Sequence, residues 1–239
     1  LAKPVKGLKI GVAAEWRGEG LDPEVRAAVE AALGALEKLG CKRVPVSIPS
    51  QAFALPVYYL IAPAEASSNL ARYDGVRYGL RAPGANIIEM YKATRSAGFG
   101  AEVKRRIILG TYVLSAGYYD AYYLKALKAR TVLRREYEAA LRKCDVLLSP
   151  ATPTPAFKLG EKSDDPLQMY LSDVYTVSVN LAGLPALVQP CGYSAGGLPI
   201  GLQLIGKAFD EGTLLRLGHQ YEQATAWHMV RANVEAAGA

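Results

Sequence analysis

The sequence predicts an α/β fold, a mixed β-sheet flanked by helices on both faces. Three observations carry that expectation: a strand–helix–strand unit near the start, a helical stretch over about 53–143, and three later apolar strands whose last two share a Gly-Gly turn. The first strand is "LKIGV" (8–12). It is followed by a helix with a full set of start signals: Asp22 as N-cap, Pro23 at the first helical position and Glu24 in the first turn. Val25, Val29, Leu33, Leu36 and Leu39 form its apolar stripe, and Gly40 closes it. "KRVPVSI" alternates Val44, Val46 and Ile48 as a second strand, and Pro45 assigns it to an edge or irregular position. A strand–helix–strand crossover implies parallel pairing.

The middle of the chain predicts three helical segments: 54–72 with a bend at Pro63, then about 101–116, then about 118–143. That is too much helix between strands for a simple doubly wound repeat. Strands return at "DVLLSP" (145–150), "PALVQPCG" (185–192) and "PIGLQLIG" (199–206), with helices near 166–180 and 211–226. "SAGGLP" (194–199) joins the last two strands as an antiparallel hairpin at one side of the sheet.

A length of 239 residues, 51% of them hydrophobic and 21% charged, suffices for a sizeable core in one large domain or two. The N-terminus lacks the layout of a secretory signal, and no apolar run is long enough to span a bilayer, so the expected location is cytoplasmic. Cys41, Cys144 and Cys191 are odd in number and widely spaced, which favours free buried thiols over disulfides or a zinc site. The chain begins with Leu, in a stretch that reads as a linker entering a strand, and is expected to be a piece of a longer one. The net charge of +6 is uneven: residues 92–143 carry 12 bases against 4 acids. That segment reads either as helices solvated on one side or as a contact for an anionic partner such as RNA. No aromatic-basic RNA motif accompanies it, which favours the first.

Within that segment, "EVKRRIILG" (102–110) places Val103, Ile107, Gly110, Val113 and Leu114 on one helical stripe. Arg106 falls inside the stripe, whereas Lys104 and Arg105 fall outside it. An arginine cannot shed its charge, so a buried one needs an anion or several acceptors. Glu102, four residues earlier, is one candidate, and a ligand's carboxylate is the other; helical geometry alone favours Glu102. Asp164 and Asp165, ahead of Pro166, read as a helix-capping pair. Asp173 falls inside the expected 166–180 helix, where Asp is disfavoured, and reads as a solvent-facing residue, as the partner of a basic side chain, or as an acceptor for an ammonium group. Arg106 and Asp173 together would suit the carboxylate and α-amino group of a free amino acid.

Other chemistry is sparse. His219 and His228 lack metal-ligand spacing and read as structural, and the chain has no phosphate loop, no G-x-S-x-G elbow and no GxGxxG after a strand. "EASSNLARYDGVRYG" (65–79), "GFGAEVKRRIILGTYVLSAGYYDAYYLKA" (98–126), "LSPATPTPAF" (148–157), "DDPLQMYLSD" (164–173), "VNLAGLPALVQPCG" (179–192) and "LPIGLQLIGKAFDEGTLLRLGHQYE" (198–222) resemble the amidase signature family. The 98–126 and 164–173 blocks resemble its glutamine-hydrolysing, tRNA-dependent amidotransferase branch in particular. The resemblance covers only the C-terminal half of the family's fold, with residues 1–239 as that half and the helical stretch as an insertion between sheet strands. It implies that the nucleophilic Ser, bridging Ser and Lys base lie in the other half, so no catalytic residue and no metal site is expected here and the chain alone is expected to be inactive.

What the resemblance implies for this half is substrate recognition. Arg106 would hold the glutamine carboxylate and Asp173 its α-amino group, with Tyr58 lining the pocket, which reverses the preference for a structural Arg106–Glu102 pair. It further implies two partner subunits, B and C, and a misacylated tRNA bound through the complex. No cofactor is expected in this chain; ATP and Mg would serve the complete complex. The alternatives are a fragment of another amide hydrolase of the family, or a non-catalytic RNA-binding domain.

Overall fold

The computed structural model describes the backbone of residues 1, 3–18, 20–161 and 166–231, and the side chains of these except 166–168. The chain divides into two compact units, Leu1–Leu55 with Thr131–Ala239, and Pro56–Arg130.

The first unit holds a five-stranded mixed sheet in the order β2-β1-β3-β5-β4. β1 (Lys9–Ala13) leads through a 3-10 turn to α1 (Pro23–Lys38) and β2 (Lys42–Val46), and β1 and β2 pair in parallel, as the crossover requires. Asp22 caps α1 through its Oδ1, which accepts from the Glu24 and Val25 amides. Pro45 is tolerated because β2 is an edge strand. β3 (Val146–Pro150) pairs in parallel with β1 and antiparallel with β5 (Pro199–Ile205), which forms the hairpin with β4 (Ala186–Tyr193). Gly197, at φ 77°, supplies the left-handed residue of that turn.

Both faces of the central strands are buried. All five residues of β3 are buried, and on β5 so are Leu202, Gln203, Leu204 and Ile205. Directly opposed antiparallel residues share a face, so Leu202 and Leu204 lie with Gln189 and Leu187, toward α8 (Glu211–Ala224), where a Cβ on Gly218 would meet the Leu187 side chain. Gln203, on the opposite face with Ser149, meets the segment around Tyr175. There the structure departs from the expected 166–180 helix. Two short helices, α6 (Pro166–Leu171) and α7 (Val177–Ala182), flank a turn over residues 172–176 that contains Asp173. The strain of a mid-helix Asp is removed by ending the helix before it. The expected capping pair Asp164 and Asp165 lies outside the described residues.

The second unit is helical. α2 (Ala54–Leu70) runs unbroken through Pro63, and α4 (Ala101–Val113) passes close by it. A Cβ on Gly110 would stand 1.9 Å from the Pro63 carbonyl oxygen, so only glycine fits that position, and Ser67 Oγ and Thr111 Oγ1 meet at 3.0 Å alongside. α3 (Ile87–Gly98) was not expected from the sequence. Its start signal is Asn86, whose side chain accepts from the Glu89 amide, and Arg95 on its last turn donates to the Leu70 carbonyl at the end of α2. The expected 118–143 helix resolves into a π-helical turn over Tyr119–Leu124 and α5 (Lys125–Leu141), which continues into the sheet unit.

The three cysteines are free and buried. Burial pushes the Cys41 and Cys144 thiols up to about 11 and Cys191 to about 12. Below about pH 8.5 these thiols are protonated whether folded or unfolded; above it the unfolded chain ionises first and binds fewer protons. Stability therefore falls as pH rises. The urea midpoint should be level from pH 7 to 8 and drop between pH 9 and 10.5, and a midpoint that rises across that window would contradict the burial.

Candidate functional site

Arg106 lies on α4, on the margin of the stripe that turns Val103, Ile107, Gly110, Val113 and Leu114 away from solvent. Arg105 projects outward, with its side chain 53% exposed against 33% for Arg106. Arg106 Nε donates to Glu102 Oε1 at 2.9 Å, and its Nη1 donates to the Tyr58 hydroxyl, on α2, at 3.1 Å. Glu102 is shared, because its other oxygen accepts from Arg105 at 2.9 Å.

The pair with Glu102 that the sequence offered is thus present, but it is single-bonded. A partly exposed i,i+4 pair contributes only about 0.3–0.5 kcal/mol. Among the described residues, Arg106 Nη2 has no hydrogen-bond partner, which leaves one edge of the guanidinium fork open to an anion. Desolvation opposes the charge on Arg106, but the hydrogen bonds it donates to Tyr58 and Glu102 outweigh it and raise its pKa further, so it remains a cation at any working pH.

Asp173 belongs to the sheet unit. It is exposed, and its carboxylate has no hydrogen-bonded or ionic partner among the described residues, while its backbone carbonyl accepts from the Thr176 and Val177 amides at 2.9 and 3.0 Å. Of the three residues singled out in the sequence, the structure brings Arg106 and Tyr58 into contact; Asp173 is placed within its own unit.

Sequence reasoning missed the polar layer beneath Asp173. Gln51 Nε2 donates to the Val174 carbonyl at 2.6 Å, and Gln203 Nε2 donates to the Tyr175 carbonyl at 3.1 Å and to Ser149 Oγ at 3.0 Å. The Tyr137 hydroxyl meets Ser178 Oγ at 2.8 Å and donates to Gln51 Oε1 at 3.3 Å. Gln203 was visible as the one polar side chain in "PIGLQLIG"; Gln51 had no comparable signal.

Several bases of residues 92–143 have acidic partners: Lys92 pairs with Glu89, Arg134 with Glu138, and Arg105 and Arg106 share Glu102. Among the described residues, no three His, Cys, Asp or Glu side chains gather as a metal site, and no helix is long and apolar enough to cross a membrane.

Arg106 thus offers a charged fork and Asp173 a solvent-facing carboxylate. Comparison with known proteins places the chain in a family. The Amidase family profile matches residues 1–215, and the chain belongs to that family. It is 58% identical over 231 residues to the A subunit of the glutamyl-tRNA(Gln) amidotransferase of Thermodesulfovibrio yellowstonii, and 62% identical over 231 residues to that of Moorella thermoacetica. Each match takes in 97% of this chain but 48% and 47% of the relative, so the chain spans about half the length of the relatives it matches. The crystal structure of the corresponding glutamyl-tRNA(Gln) amidotransferase polypeptide from Thermotoga maritima superposes with a TM-score of 0.67 at 40% identity, covering 89% of this chain and 41% of that one. A solved amidase superposes at 0.71 with 26% identity, covering 93% of this chain and 46% of its own length.

Proposed function

We propose that this chain is the C-terminal half of the glutamine-hydrolysing polypeptide of a tRNA-dependent amidotransferase, and that it supplies glutamine recognition rather than the bond-breaking chemistry. The observation that carries the reading is the identity with such polypeptides along nearly the whole chain. The geometry supports it: Arg106, braced by Tyr58 and with Nη2 open, suits an α-carboxylate, and the unpartnered Asp173 carboxylate suits an α-ammonium group.

Hydrolysis of the side-chain amide would use the Ser, Ser and Lys residues of the other half. The ammonia released would pass to a B subunit, where ATP with Mg activates the misacylated tRNA, and a C subunit would join the pair in the cytoplasm. The roles of Arg106, Tyr58 and Asp173 are orientation and selectivity. Two opposite charges, one for each ionic group of the ligand, admit a free amino acid and disfavour neutral amides, which would bring no ionic partner to the open Arg106 Nη2 or to Asp173.

The test compares this chain with the complete subunit. The chain alone should release no ammonia from glutamine above background, whereas the complete subunit should. Turnover by the chain alone would overturn the assignment of catalysis to the other half.

A further inference from the structure

The Asp173 carboxylate stands on a turn between two helices of six residues each, too short to hold their own geometry. What fixes that turn comes from elsewhere in the sheet unit. The carbonyls of Val174 and Tyr175, the next two residues, accept from Gln51 Nε2 and Gln203 Nε2. Both glutamines are buried, at 6% and 3% exposure, and they come from different elements. Gln51 comes from the 3-10 turn Pro49–Phe53, where Glu136 on α5 accepts from both the amide and the hydroxyl of neighbouring Ser50. Gln203 comes from the interior strand β5, where Ser149 on β3 accepts its second Nε2 proton. The hydroxyl of Tyr175 itself donates to the Trp16 carbonyl at 3.3 Å.

A buried carboxamide is costly unless it is satisfied, and each of these spends a donor on a main-chain carbonyl that leucine would leave unpaired. These two are each aimed at a main-chain carbonyl of the Asp173 turn. We infer that Gln51 and Gln203 are positioning residues for Asp173. By fixing the Val174 and Tyr175 carbonyls, they set the direction of the Asp173 carboxylate and so the selectivity for substrates that carry an α-ammonium group. The inference rests on the reading of Asp173 as the ammonium acceptor. Displacement of a charged group by about 1 Å weakens an oriented contact far more than it weakens the fold.

The experiment uses the complete enzyme and two amides, glutamine and glutaramate, which keeps the carboxylate and the amide but lacks the amino group. Asp173→Ala should bring kcat/KM for the two close together. Gln203→Met and Gln51→Met, nearly isosteric but without donors, should each lower the glutamine-to-glutaramate ratio by about tenfold. Their thermal midpoints report folding, and either variant suffices if the other fails to fold. Adding Asp173→Ala to a folded glutamine variant should then lower the ratio by less than it does in the parent enzyme.

If both folded glutamine variants lose the two substrates equally, or leave the ratio unchanged while Asp173→Ala collapses it, the positioning role is overturned and the reading of Asp173 stands. If Asp173→Ala itself falls equally on both substrates, the reading of Asp173 is what fails. Failure of both glutamine variants to fold would also overturn the inference, because it would make the layer a requirement of the core.

Discussion

Arg106→Lys in the complete enzyme is expected to lower kcat/KM for glutamine by about 100-fold while changing that for a small neutral amide such as propionamide by less than about threefold. A lysine keeps the charge but loses the planar fork, and the arrangement around Arg106 uses the fork. Nε is taken by Glu102 and Nη1 by Tyr58, so the open Nη2 is the edge available to a carboxylate. A lysine's three donors all sit on one nitrogen, so it cannot reach Glu102, Tyr58 and a ligand carboxylate at the separate positions the fork spans. Glu102→Gln separates this account from a purely structural ion pair. If the pair with Glu102 were the purpose of Arg106, then Glu102→Gln and Arg106→Lys would produce similar, small effects. If the ligand is the purpose, Glu102→Gln removes a competitor and leaves glutamine turnover within about threefold of the parent. Equal losses for glutamine and propionamide in Arg106→Lys would count against a carboxylate clamp.

The largest expected loss of stability comes from Gly110→Ala. The added methyl would stand 1.9 Å from the Pro63 oxygen and 2.5 Å from its carbonyl carbon, both main-chain atoms that cannot rotate aside. α4 must back away from α2, at a cost of about 3 kcal/mol, and it carries Arg106 one turn earlier away from Tyr58 as it does so. Gly34→Ala is the comparison. Gly34 sits in α1, and nothing lies within 4 Å of the position its Cβ would take, so the same substitution should stabilise the protein by about 0.5–1 kcal/mol. Thermal denaturation of the two variants should therefore move in opposite directions. A Gly110→Ala midpoint at or above the parent's would show that the two helices are not in that close contact.

The outer parts of the fold were legible because their signals are local. Asp22-Pro23 announces α1, Pro45 announces an edge strand, and the glycine pair at 196–197 announces the hairpin. The middle was less so. α3 depended on a single Asn86 cap after a stretch rich in Gly and Pro, and the break between α6 and α7 is stabilised by Gln51 and Gln203, which are distant in sequence. A helical wheel separated Arg106 from Arg105, and the structure keeps that distinction. It could not show that Tyr58, 48 residues away, would share the guanidinium. Asp173 stood out in the sequence as an Asp inside a helix, and that local reason was wrong. In the structure it is an exposed carboxylate on a turn whose next two carbonyls accept from Gln51 and Gln203.

Recognition of both charged groups of glutamine by this chain is tested by a crystal structure of the complete enzyme with glutamine bound. The α-carboxylate is expected at about 2.7–3.1 Å from the Arg106 guanidinium and the α-ammonium within the same range of the Asp173 carboxylate. Glutamine bound with its carboxylate away from Arg106, or with its ammonium held by other residues while Asp173 faces solvent, would contradict it.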